Sequence, residues 1–134
     1  MKRNLSAFAL FWSLLFFSFS SFGQAEFYFT TTVDTATEGD GMVLLCYIKT
    51  NQPSSDAKSY RIEYAGGTAD SSDIGHFAGL TVNIPANTDS VPFSLYISDD
   101  TKVEFTEYAQ LLLRGVSETD SVGVDSVFTL YIKD

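Results

Sequence analysis

Apolar and polar residues alternate with a period of two over several short stretches of this chain, which is the pattern of β-strands with one buried face. In Val91–Ile97, for example, every second residue is Val, Phe, Leu or Ile. The predicted strands are Phe27–Val33, Met42–Lys49, Ser59–Tyr64, Leu80–Ile84, Val91–Ile97, Tyr108–Arg114 and Val127–Ile132. No stretch after residue 23 has the period of an amphipathic helix.

The connections between these strands carry residues that favour turns, such as Gly66-Gly67 and Pro85-Ala86-Asn87. Short strands separated by turn signals predict an all-β fold, a single immunoglobulin-like antiparallel β-sandwich of about seven strands. Met42–Lys49 differs from the others because its apolar run is nearly continuous, so we expect this strand to be buried on both faces. The lone cysteine, Cys46, lies in this run and is predicted to be a small core residue without a disulfide partner.

The first 23 residues have the organisation of a secretory signal peptide. Lys2 and Arg3 form a basic start, and Leu5–Phe22 is an apolar run broken only by serines. We therefore assign residues 1–23 to a signal peptide with residues 5–22 as its apolar region, and residues 24–134 to the sandwich domain. The protein is expected to be secreted or at the cell surface, with no membrane insertion after cleavage. The alternative is an uncleaved anchor, because an apolar run of about 18 residues can just span a bilayer.

The charge of the chain argues against a nucleic-acid-binding protein. The formal net charge is −9 at pH 7. Without Lys2 and Arg3, six basic and 17 acidic residues remain, a formal charge of −11. Such a surface repels nucleic acid and attracts cations.

The sequence lacks the residue sets of the common catalytic sites. His76 is the only histidine, and no nucleophile-elbow motif surrounds it or the nearby serines. One histidine and one cysteine that are distant in sequence do not make a zinc site. We therefore expect that the protein is not an enzyme.

The acidic residues are predicted to collect at one end of the sandwich. If successive strands run antiparallel, the loops after the first, third and fifth strands share an end with the segment that follows the seventh. The acids at that end are Glu38, Asp40, Asp70, Asp73, Asp99, Asp100, Glu104, Glu107 and Asp134, whereas the opposite end holds five. Clustered carboxylates repel one another and oxygen ligands suit calcium, so this end is a candidate calcium site, although Asp99-Asp100 alone is more typical of a solvated turn.

Several motifs, taken in order, resemble those of the Calx-β domain, a module of sodium–calcium exchangers and of extracellular adhesion proteins. The resemblance runs from about Phe29 to Asp134. The segments that carry it are Glu38-Gly39-Asp40-Gly41, Gly67-Thr68-Ala69, Asp73-Ile74, Ile84-Pro85-Ala86-Asn87, Ile97 to Glu104 with Glu107-Tyr108 after it, and Ile132-Lys133-Asp134. Arg61 is a departure, because it occupies a position where the family often has Asp, and an arginine beside the site would compete with calcium.

This resemblance implies a calcium-binding module that serves as a rigid adhesion or structural domain. The implied calcium ligands are the side chains of Glu38, Asp73, Asp99, Asp100, Glu104 and Asp134 and the backbone carbonyl of Ile74. The expected partners are calcium ions and neighbouring repeat domains or a cell-surface protein or polysaccharide. The alternative is a calcium-independent immunoglobulin-like sandwich that binds a protein or polysaccharide at the cell surface.

Overall fold

Two β-sheets pack face to face in the computed structural model, which describes residues 23–39, 42–75, 78–99 and 103–134. The strands are β1 (Glu26–Phe29), β2 (Val33–Thr37), β3 (Met42–Thr50), β4 (Lys58–Gly67), β5 (Leu80–Ile84), β6 (Ser90–Ile97), β7 (Glu107–Gly115), β8 (Ser121–Val122) and β9 (Val127–Lys133). One sheet has the order β6-β3-β1-β8 and the other β2-β9-β7-β4-β5. The predicted all-β sandwich is confirmed.

The period-two pattern of the sequence places one face of each strand in the core. In β6, Val91, Phe93, Leu95 and Ile97 are buried and the residues between them are exposed. The aromatic rings meet between the sheets, where the Phe27 and Tyr60 centroids are 4.8 Å apart. Burial of such apolar surface is the main force that holds the two sheets together.

The first predicted strand, Phe27–Val33, is divided between the two sheets. The amide of Thr30 donates to the carbonyl oxygen of Tyr47 in the four-stranded sheet, at 3.1 Å. Two residues later, the carbonyl oxygen of Thr32 accepts from the amide of Thr129 in the five-stranded sheet, at 2.8 Å. The chain therefore changes sheets between residues 30 and 32, and this break together with the short β8 gives nine strands in place of about seven.

The prediction that Met42–Lys49 is buried on both faces is wrong. The side chains of Val43, Leu45 and Tyr47 are 56%, 54% and 42% exposed, whereas Ile48 on the inner face is fully buried. Only one sheet lies against β3, so only its inner side chains are covered.

Cys46 is a free thiol on the inner face of β3 and packs against the core as a partly buried residue. Burial, and to a lesser extent the nearby charge of Asp34, raise the pKa of the thiol to about 11. The thiol is therefore protonated at neutral pH and behaves as a small hydrophobe.

The predicted signal peptide lies almost wholly outside the described residues, which begin at Gly23, and it stays a prediction. Asp40, His76 and Asp100 also lie outside them. Within the described ranges, no helix is long and apolar enough to cross a membrane.

Candidate metal centre

Hydrogen bonds join the loops of one end of the sandwich. The amide of Glu38, after β2, donates to the carbonyl oxygen of Lys133 at the end of β9, at 2.7 Å. The amide of Ser98, after β6, donates to the carbonyl oxygen of Asp73 in the β4–β5 loop, at 2.9 Å. We call this end the acidic pole and define it by its described acids: Glu38, Asp70, Asp73, Asp99, Glu104, Glu107 and Asp134.

Three carboxylates of the acidic pole come together from three different loops. Glu38, Asp73 and Glu104 each place one oxygen so that the three atoms lie within 4.8 Å of one another. Asp73 is only 4% exposed, and the other two residues are partly buried. At this separation two unit charges repel by roughly 3 kcal/mol at an effective dielectric constant of about 20. The arrangement therefore favours any species that brings positive charge between the three groups.

The end of β4 positions Asp73 by a close approach of two backbones. Gly67 has a φ of 140°, and a Cβ at this residue would lie 2.1 Å from the carbonyl oxygen of Tyr108. Glycine permits both features. The same carbonyl oxygen then accepts from the amides of Thr68 and Ala69, at 2.9 and 3.1 Å. The chain thus leaves β4 beside the start of β7, and the following loop returns to the pole.

Asp70 shapes the loop that carries Asp73. Its Oδ1 accepts from the amide and from the hydroxyl of Ser72, both at 2.6 Å, in an Asx-type turn. Its own amide donates to Oδ2 of Asp73 at 2.5 Å, which fixes the orientation of that carboxylate. Ile74, which is buried, forms an isolated bridge with Ile97 and attaches the loop to the end of β6. The Asp73 carboxylate is thus oriented by the Asp70 amide, and the loop that carries it is attached to the end of β6.

Glu107, the first residue of β7, forms a hydrogen bond through its side chain to Asp73. Loss of hydration, this hydrogen bond and the negative charges of Asp73, Glu104 and Asp70 raise the pKa of Glu107 from 4.5 to about 7. Near neutral pH, Glu107 is therefore partly protonated. The proton relieves part of the repulsion among the carboxylates.

The predicted ligands occupy different places around this cluster. Glu38, Asp73 and Glu104 form it, and Oδ2 of Asp134 accepts from the amide of Glu104 at 3.0 Å. Asp99 is exposed at the end of β6 and is not part of the three-carboxylate group. Asp100 lies outside the described residues. The ligand role of the Ile74 carbonyl stays a prediction.

Two residues of the site were not among the predicted ligands. Glu107 and Asp70 were placed at this end by loop counting alone, and the spacing of three residues between Glu104 and Glu107 was the signal that could have indicated Glu107.

Arg61, which was expected to compete with calcium, pairs with Glu63 at 3.3 Å and donates to the carbonyl oxygen of Ala78 at 3.2 Å. These contacts occupy its guanidinium away from the three-carboxylate group.

No protein-family model matches this chain, and no curated protein matches it. Solved structures do. The apo form of the Calx CBD1 domain matches with a TM-score of 0.70 and 23% identity, over 84% of this chain and 98% of that domain. This chain has the Calx-β fold. The resemblance inferred from the motifs is thereby confirmed at the level of the fold.

This chain also matches parts of larger proteins. The calcium binding domain CBD12 of CALX1.1 matches with a TM-score of 0.68 and 23% identity, over 81% of this chain and 44% of that protein. A putative carbohydrate binding protein from Bacteroides ovatus matches with a TM-score of 0.61 and 9% identity, over 81% of this chain and 37% of that protein. In both cases this chain spans less than half of the matched protein.

The donor set of the acidic pole fits the ion that the Calx-β fold implies. Carboxylate oxygens are hard ligands, and calcium accepts six to eight oxygens in flexible geometry. Glu38, Asp73 and Glu104 supply three side chains from different loops, and Glu107 and Asp134 contact members of this group. The site thus combines clustered negative charge with ligands of the chemistry that calcium requires.

Proposed function

We propose that this protein is an exported Calx-β module that binds calcium at its acidic pole and serves as a rigid adhesion or structural domain. The observation that carries the proposal is the approach of Glu38, Asp73 and Glu104 to within 4.8 Å of one another, with Asp73 almost fully buried. A buried carboxylate beside two others is costly unless a cation or a proton compensates the charge.

Calcium would connect parts of the chain that are far apart in sequence. Glu38 precedes β3, Asp73 follows β4, Glu104 precedes β7, and Asp134 follows β9. An ion held between the first three would remove their repulsion and displace the proton of the nearby Glu107. The loops of this end would then be stiffer than in the calcium-free protein.

Calcium-dependent unfolding of residues 24–134 tests this proposal. With a dissociation constant near 10⁻⁴ M, saturation 100-fold above that value adds about 2.7 kcal/mol to the free energy of unfolding. For a domain of this size, the midpoint of thermal unfolding should rise by about 10 °C, and magnesium should have little effect because it binds poorly to all-protein carboxylate sites.

Two variants provide the comparison for this measurement. Glu104→Gln should remove most of the calcium effect. Glu118→Gln, an exposed acid after β7 at the opposite end, should leave the effect unchanged. An unchanged wild-type midpoint in calcium would refute the proposal. A ligand that bound equally well in the presence of a chelator would instead support the calcium-independent sandwich.

A further inference from the structure

The outer face of the four-stranded sheet carries a cluster of exposed apolar side chains. We call it the apolar face and define it as Val43, Leu45, Tyr47, Pro92 and Tyr96. Val43 lies directly opposite Tyr96 and Tyr47 directly opposite Pro92 on the paired strands β3 and β6. The four large side chains other than Pro92 are between 42% and 56% exposed. Exposed Ser94 lies opposite Leu45 and is the polar residue within this surface. Large exposed apolar patches mark interaction sites.

The pattern of the sequence indicates that this face is covered when the protein is assembled. Met42–Ile48 is apolar at every position, which is typical of a strand with both faces buried. The domain itself buries only the inner face of β3. The outer face of the five-stranded sheet also exposes apolar side chains, namely Val33, Tyr108, Val127 and Tyr131. It differs in that it carries charged groups as well, since Arg61 and Arg114 both form exposed ion pairs with Glu63.

A second copy of this chain is the occupant that the charged flanks of the apolar face favour, although the rest of the surface opposes it. The chain has a net charge of −9, so two copies repel each other over most of their surfaces. None of the five side chains of the apolar face is charged, and the partly buried Asp34 lines a pocket at its flank with Leu45 and Tyr47. Pro92 lies within the edge strand β6, where proline disfavours pairing of edge with edge.

The flanks of the apolar face are complementary under two-fold symmetry. Exposed Lys49 lies at the end of β3 remote from the acidic pole, and exposed Asp99 follows β6 at the pole. If two faces pack with their β3 strands antiparallel, Lys49 of each copy lies toward the Asp99 end of the other. We propose that two copies of this protein associate in this way, apolar face to apolar face, about an axis near Leu45.

The expected dimer is weak. The apolar face comprises five side chains, whereas a standard interface buries about 800 Å² and 20–30 residues on each partner. Its formation should therefore be measured at concentrations up to about 1 mM, where a weak complex is populated. Residues 24–134 suffice for the experiment because both sheets and the core between them are built from residues 26–133.

Sedimentation equilibrium of residues 24–134 tests the proposal. The average molecular mass should rise toward twice that of the monomer as the protein concentration rises. Leu45→Glu should remain a monomer across the range, because the two-fold axis would place like charges together. Val33→Glu is the matched control, since Val33 is 56% exposed on the five-stranded sheet, and it should dimerise like the wild type. Far-ultraviolet circular dichroism verifies that each variant is folded.

Mixing two variants separates a specific interface from a general loss of solubility or fold. Leu45→Lys alone should also be monomeric, but an equimolar mixture of Leu45→Glu and Leu45→Lys should recover the dimer mass. A wild type that stays monomeric at about 1 mM would overturn the proposal. So would a mixture that stays monomeric, or a Val33→Glu variant that loses association to the same extent as Leu45→Glu.

Discussion

Replacing Asp73 by Asn should stabilise the calcium-free protein and remove most of the stabilisation that calcium gives to the wild type. Asn keeps the shape of the side chain and removes its charge at a position that is 4% exposed. In the wild type, Asp73 lies within 4.8 Å of the carboxylate oxygens of both Glu38 and Glu104. Each of these repulsions is worth roughly 3 kcal/mol at an effective dielectric constant of about 20, and solvent around the partly buried Glu38 and Glu104 screens it further.

The stabilisation gained by removing the charge of Asp73 is reduced because the remaining hydrogen bond is weaker. The amide of Asp70 donates to the Asp73 carboxylate at 2.5 Å, and a neutral acceptor gives up about 1 kcal/mol of such a charge-assisted bond. We therefore expect the calcium-free Asp73→Asn variant to be more stable than the wild type by about 1–3 kcal/mol. Its unfolding midpoint should rise by about 5 °C or more.

Calorimetry of both proteins, with a chelator and with saturating calcium, measures this difference. Calcium should stabilise the wild type and leave Asp73→Asn nearly unchanged. Asp89→Asn, an exposed acid at the opposite end, is the control and should match the wild type in both conditions. A calcium-free variant that is less stable than the wild type, or one that calcium stabilises equally, would refute the assignment of Asp73 to a repulsive cation site.

Two further predictions concern a proton and a glycine. The pKa of Glu107 is raised from 4.5 to about 7, so the folded protein retains a proton that the unfolded chain loses between these values. The contribution of this group to the stability of the calcium-free protein should consequently be highest below pH 4.5 and should fall as the pH rises through about 7. Calcium affinity should rise over the same range. Glu107→Gln should flatten both pH profiles, and profiles identical to those of the wild type would count against the Glu107–Asp73 pairing. Gly67→Ala should lower the free energy of unfolding by about 2 kcal/mol or more because its Cβ meets the Tyr108 carbonyl, while Gly39→Ala, with no atom within 4 Å of the added Cβ, should change it little in urea titration.

The acidic pole was predicted from the alternating direction of successive strands, and this prediction holds although the structure has two more strands than expected. β2 continues in the direction of β1 after the change of sheet at residues 30–32, and β8 and β9 run in the same direction along β1 and β2. No loop therefore moved to the other end. The break itself could not be predicted, because Thr31 and Val33 extend the alternation of Phe27 and Phe29 without interruption.

Which carboxylates of the acidic pole come together depends on the direction of their side chains, and the sequence encodes this direction poorly at the ends of strands. Glu107 begins β7 and faces Asp73, whereas Asp99 follows β6 and points toward solvent. Likewise, the apolar run in β3 reports that its residues can be buried but does not say whether the covering surface belongs to the same domain. The predicted burial of both faces failed for that reason.

The pairing of β2 with β9 determines how this domain would respond to tension. The two strands are parallel and joined over five residue pairs, from Val33 with Thr129 to Thr37 with Lys133. A pull on the chain before β2 and after β9 acts at opposite ends of this pair, so the load lies along the strands. The inter-strand hydrogen bonds are then sheared together instead of opening one after another. The β2–β9 pair would therefore resist such a load, and an ion bound beside Glu38 would strengthen the end of that pair nearest the acidic pole.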